Sequence, residues 1–118
     1  MPRHWGMHNP PSSSILEHAL CVVALARPIV ETIQRKDRDL ASQLRRAISS
    51  IALNVAEGFG TAAGNARLRF ETARGSLNEA QAGIRVAVAW GYVSNDAAHE
   101  VLQSMNVLGG RVYGLVRR

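Results

Sequence analysis

The chain has 118 residues, enough to bury one hydrophobic core and too few for two well-formed domains. Fourteen Lys+Arg against nine Asp+Glu give a formal charge of +5. Lys36 is the only lysine, so the basic character is almost all guanidinium, suited to phosphate or to carboxylates at subunit interfaces. The single cysteine, Cys21, excludes a disulfide framework and a cysteine-based zinc site, and an aromatic content of 5% leaves few rings to stack on bases.

Residues 1–13 carry Pro2, Gly6, Asn9, Pro10, Pro11, Ser12 and Ser13, a composition that resists regular structure and predicts a flexible arm before one domain over 14–118. The positive start has no apolar run behind it and no stretch approaches a membrane span, so a cytoplasmic protein with no membrane contact is expected. Ser14 with Glu17 has capping-box spacing and starts a helix reaching about Gln34. Its apolar stripe runs through Leu16, Ala19 or Leu20, Val23, Ala26, Val30 and Ile33, and Pro28 predicts a kink rather than a second helix.

Asp37 or Asp39 caps a second helix over about 39–57, with Leu40, Leu44, Ala47, Ile48, Ile51 and Val55 on its core side. Gly58 stands where a C-cap is expected. A third helix from about Asn65 to Gly91 places Phe70, Ala73, Leu77, Ala80, Ile84 and Ala87 inward. On another face it carries Arg67, Glu71, Arg74, Asn78, Gln81 and Arg85. Ser94 or Asn95 caps a fourth helix with Ala98, Val101 or Leu102, Met105, Leu108, Val112 and Leu115 as its stripe. Gly109-Gly110 predict either close packing there or fraying beyond. With no period-two alternation and short connections, the expected architecture is an all-α, antiparallel up-down-up-down four-helix bundle.

Leu40-Ala-Ser-Gln-Leu-Arg-Arg-Ala47, Ser50-Ile51, Asn54-Val-Ala-Glu-Gly58, Arg69-Phe70, Gly75-Ser-Leu77, Glu79 and Gly91-Tyr92 together resemble the signature of a family of four-helix-bundle proteins. That family was first noticed in intervening sequences of large-subunit ribosomal RNA genes. The resemblance covers Leu40 to Tyr92 well and the outer helices only as pattern, and it implies a ring-like homopentamer with no recognised enzymatic activity. Its best understood relatives, the accessory variability proteins of diversity-generating retroelements, imply nucleic acid and a reverse transcriptase or other protein as partners. Thr61-Ala62-Ala63 depart from the pattern where basic or polar residues are often seen, Ala66-Arg67 replace a Glu-Phe pair, and Gln81 stands where Glu is common.

Two sets of residues are therefore candidates for function. Arg45, Arg46, Asn54 and Glu57 form a polar set on helix two, readable as a binding site or as a network that fixes packing and oligomer register; an interfacial Arg45 would pair with a carboxylate such as Glu79. Arg67, Arg74 and Arg85, supplemented by Arg111, Arg117 and Arg118, make the better line of charge for RNA or DNA phosphates. His4 and His8 lie in the arm and His18 and His99 on different helices, so no metal site, cofactor or catalytic constellation is expected, and Cys21 reads as a small buried residue. Trp5 and Trp90 read as anchors, the latter closing one bundle end with Tyr92. The sequence thus predicts a non-enzymatic, basic, oligomeric accessory or scaffold protein that contacts nucleic acid. The alternative is a protein-interaction scaffold whose arginines serve its own interfaces.

Overall fold

The computed structural model describes residues 14–117. The expected arm over 1–13 and Arg118 lie outside the described residues. Four helices follow one another, α1 Ile15–Gln34, α2 Arg38–Phe59, α3 Ala63–Ala89 and α4 Asn95–Val116.

The starts are set by side-chain caps. Ser14 Oγ accepts from the amide of Glu17 at 2.9 Å, Asp37 Oδ1 from that of Leu40 at 3.0 Å, and Ser94 Oγ from that of Ala97 at 3.0 Å, each satisfying an amide that the helix cannot. Asp37 rather than Asp39 is thus the cap of α2, and Ser94 rather than Asn95 that of α4. α3 begins at Ala63, two residues ahead of expectation, with Ala62 as an N-cap that offers no side-chain bond. α1 continues through Pro28 as one helix; the ring lies at the surface, and the Thr32 hydroxyl donates to the Pro28 carbonyl at 3.0 Å. α3 stops at Gly91, whose φ of 80° is open to glycine at little cost. The amide of Tyr92 then bonds Ala87 O, and that of Gly91 bonds Val88 O, both at 2.9 Å.

Each helix buries most of the stripe its spacing predicts, and the stripes merge into one core; Leu16 and Val23 of α1 and Leu40 of α2 are only partly buried, and Val22 and Ile29 join the core on α1. α1 packs on α2 and α4, and α3 packs on the same two helices. Where α1 offered Ala19 or Leu20, Ala19 is buried and Leu20 is not; on α4, Val101 takes the core and Leu102 the margin. Leu44, Ile51, Leu77, Ile84, Met105 and Leu108 are fully enclosed, each contributing about 1.5–3 kcal/mol relative to exposure.

Two sets of glycines depart from expectation. Gly58 is not the end of α2, which runs on to Phe59 with Gly60 at its C-cap. It is buried against α3, and a Cβ there would overlap the Phe70 ring; one at Gly83 would come within 2.6 Å of Leu44 Cδ2. These two glycines let α2 and α3 approach closely. Gly109 and Gly110 behave oppositely. α4 passes through both without fraying before Val116, and neither would bring a Cβ within 4 Å of anything, so close packing does not explain them either.

We expect Gly58→Ala to lower the unfolding free energy by about 1–3 kcal/mol through overpacking against Phe70. Gly110→Ala should raise it by about 0.5–1 kcal/mol, because a helical glycine in open space carries only its entropic cost. Urea titrations of the two variants check both signs.

Candidate functional site

The polar residues of α2 divide among separate partners. Arg45 donates to Gln34 Oε1 at 2.6 Å, across to the end of α1, rather than pairing with Glu79. Arg46 donates to Ser42 Oγ at 2.8 Å, one turn back. Asn54 Nδ2 donates to both the carbonyl and the hydroxyl of Ser50 at 2.9 Å, and the Ser50 hydroxyl shares a hydrogen bond with Ser76 Oγ, 2.7 Å away on α3. Glu57 meets Arg69 of α3 at 3.0 Å. Asn54 and Glu57 thus face α3, whereas Arg45 lies beside α1.

The arginines proposed for nucleic acid also separate. Arg67 is held by Glu71, one turn along, at 3.4 Å. Arg74 lies over the Tyr113 ring of α4 at 4.6 Å from its centroid, and Arg117 approaches the same ring at 5.7 Å, so one phenol gathers two guanidinium groups from two helices. Arg74 and Tyr113 line a groove of about 310 Å³ between α3 and α4, with Asn78, Gln81 and Asn106 at its sides and Gly109 and Gly110 in its wall. Among the described residues no carboxylate lines it. Arg85 stands exposed one turn past Gln81, beside Ala82 and Val86. Arg111 is directed elsewhere.

Its guanidinium reaches His18 Nδ1 on α1 at 3.0 Å, while His18 Nε2 lies 3.2 Å from Ser104 Oγ. A guanidinium only donates, so Nδ1 accepts, the ring proton sits on Nε2, and that proton goes to Ser104. Burial, then the positive charge of Arg111, hold this imidazole below its ordinary 6.5, against an opposing contribution from Ser104. His18 is thus a neutral core histidine joining α1 to α4, a role its isolated place in the sequence did not signal. Among the described residues no cluster of His, Cys, Asp and Glu could hold a metal ion, and Cys21 is buried.

At the α3–α4 turn, Trp90 stacks on Tyr92 at 6.3 Å but remains 69% exposed, so it covers Tyr92 without being a buried anchor. Tyr92 donates to Asp37 Oδ2 at 3.2 Å, and desolvation followed by the Asp37 carboxylate pushes its hydroxyl pKa up.

The family model described as 23S rRNA-intervening sequence protein matches residues 17–114. The chain belongs to that family. The match spans most of α1, all of α2 and α3 and most of α4 of this intervening-sequence protein, and so includes the outer helices, where the resemblance is one of pattern only. It therefore covers both the His18–Arg111 contact and every residue lining the α3–α4 groove. No curated protein and no solved structure matches the chain. Among the described residues, no helix is long and apolar enough to cross a membrane.

His18 gives the fold a pH dependence of defined sign. The folded imidazole binds its proton less readily than the unfolded one, so its contribution to stability is complete above pH 6.5. That contribution is lost as the pH falls from 6.5 through the lower folded value. The melting temperature should drop over that range, and His18→Gln should flatten this part of the profile when thermal melts are compared across pH.

Proposed function

We propose that this member of the 23S rRNA-intervening sequence protein family is a non-enzymatic accessory or scaffold protein. In this reading it assembles as a homopentamer and binds RNA or DNA through phosphate contacts. The observation that carries the binding is the convergence of Arg74 and Arg117 on Tyr113, at a groove without carboxylates, with Arg85 exposed farther along α3. Guanidinium groups held over a ring lose less freedom on meeting phosphate than free ones, and repetition of a +5 chain in one particle multiplies the attraction. Arg67 contributes less, being shared with Glu71, and Arg111 acts in the fold through His18.

Two further features support the assembled bundle. Gly58 near the end of α2 meets Phe70 near the start of α3, Gly83 meets Leu44 in the reverse sense, and His18 early in α1 meets Arg111 late in α4, as an up-down-up-down order requires. Leu53, Leu68 and Val107 are each more than half exposed on α2, α3 and α4, apolar surface that an oligomer would cover. Arg46 and Ser49 lie beside Leu53 on the outer side of α2, and in this reading that face is an assembly surface.

Native mass spectrometry should give a particle of five 12.8 kDa chains, and Leu53→Lys should release smaller species with helicity intact. A wild-type monomer would end the assembly reading. For binding, the logarithm of the association constant should fall by about 0.9 per neutralised phosphate for each unit of log salt, and Arg74→Ala or Arg85→Ala should each reduce that slope by about one. A salt-independent constant, or no binding, would leave the scaffold alternative, in which the arginines serve protein interfaces.

A further inference from the structure

Gly109 and Gly110 sit inside α4, where glycine weakens a helix, yet a Cβ at either would touch nothing. What they provide is a low wall. Along the same stretch of groove stand three side-chain amides, Asn78 and Gln81 of α3 and Asn106 of α4. Among the described residues none of these amides hydrogen-bonds to the protein. Gln43, Asn65, Asn95 and Gln103 are likewise exposed and make no side-chain hydrogen bond within the described residues, but none of them lines this groove, where three such amides stand together.

We infer that the groove between α3 and α4 takes a segment of single-stranded nucleic acid, with a base lying over Gly109 and Gly110 against the amides of Asn78, Gln81 and Asn106. This rests on the proposal above that the neighbouring arginines meet phosphate, and it adds what they cannot supply, contact with the bases. An amide offers donors and an acceptor side by side, the pattern of a base edge. A duplex keeps those edges inside its grooves, where a projecting helix or ribbon must enter to read them. Here the receiving surface is concave, so the base has to leave its stack and enter the protein, as unpaired strands allow. Arg74, held over Tyr113 at the rim of the groove, provides a guanidinium for the adjoining phosphate or for stacking. An acidic peptide would also offer carboxylates to the arginines and backbone N–H and C=O groups to the amides, so displacement by polyglutamate separates the two occupants.

The test uses the full chain and labelled oligonucleotides of one mixed sequence, as single-stranded RNA, single-stranded DNA and the matching duplex. Gly109→Leu fills the groove from a position with free space around it and replaces a poor helix former. Its melting temperature should equal or exceed that of the wild type. The triple change Asn78→Ala, Gln81→Ala, Asn106→Ala removes the amides and no charge. Each variant should bind the single strand about tenfold more weakly, the loss of one good base contact, with duplex binding and the salt slope unchanged. The RNA and DNA arms show which strand is preferred. Full single-strand affinity in both folded variants, equal affinity for duplex, or equally effective displacement by polyglutamate would overturn the inference while salt-dependent binding left the broader reading intact. Absence of salt-dependent binding in the wild type would remove both.

Discussion

Close contact between α2 and α3 is the constraint from which the rest of the bundle takes its register. It depends on an absence of side chain at two places, Gly58 under the Phe70 ring and Gly83 beside Leu44. With the two backbones held at that spacing, Ser50 reaches Ser76, Glu57 reaches Arg69, and the core residues of α3 meet those of α2 along their length. A polar pair such as Glu57–Arg69 is worth little at an exposed site. It follows the packing and does not create it. Arg74 of α3 in turn lies over Tyr113 of α4, where the groove forms.

What could be read from sequence divides along physical lines. Apolar periodicity and caps are local, and they gave the four helices, the buried sets of α2 and α3, and the ends at Ser14 and Gly91. Gly58 was misread because a glycine near the end of an apolar run looks the same whether it stops the helix or admits a neighbour; only Phe70, brought in by α3, separates the two. His18 and Arg111 are 93 positions apart, and Tyr92 and Asp37 are 55 apart, with no periodic signal linking either pair. For the arginines, helical spacing placed Arg67, Arg74 and Arg85 on one side of α3. It could not show that Glu71 engages one and Tyr113 another, nor that Arg111 turns to α1.

The side chains of this protein therefore sort by what satisfies them. Arg45, Arg46, Asn54 and Glu57 have partners within the chain, His18 is fully engaged in the core, and the α3–α4 side keeps amides and guanidinium groups facing solvent. Polar groups already matched at home have less to offer a ligand, since a new bond replaces an old one. That contrast distinguishes the two sides of the bundle more sharply than net charge does.

Asp37 uses its two carboxylate oxygens on two different turns, Oδ1 on the start of α2 and Oδ2 on the Tyr92 hydroxyl beyond α3. One charge therefore clasps both connections at that end of the molecule, while the α2–α3 connection lies about 33 Å away along a helix of 22 residues, with Phe59 half open to water above Phe70. The two ends are thus held in different ways: one carboxylate ties two connections at the first, while at the second the helices are joined in pairs, α2 to α3 through Gly58–Phe70 and Glu57–Arg69 and α1 to α4 through His18–Arg111.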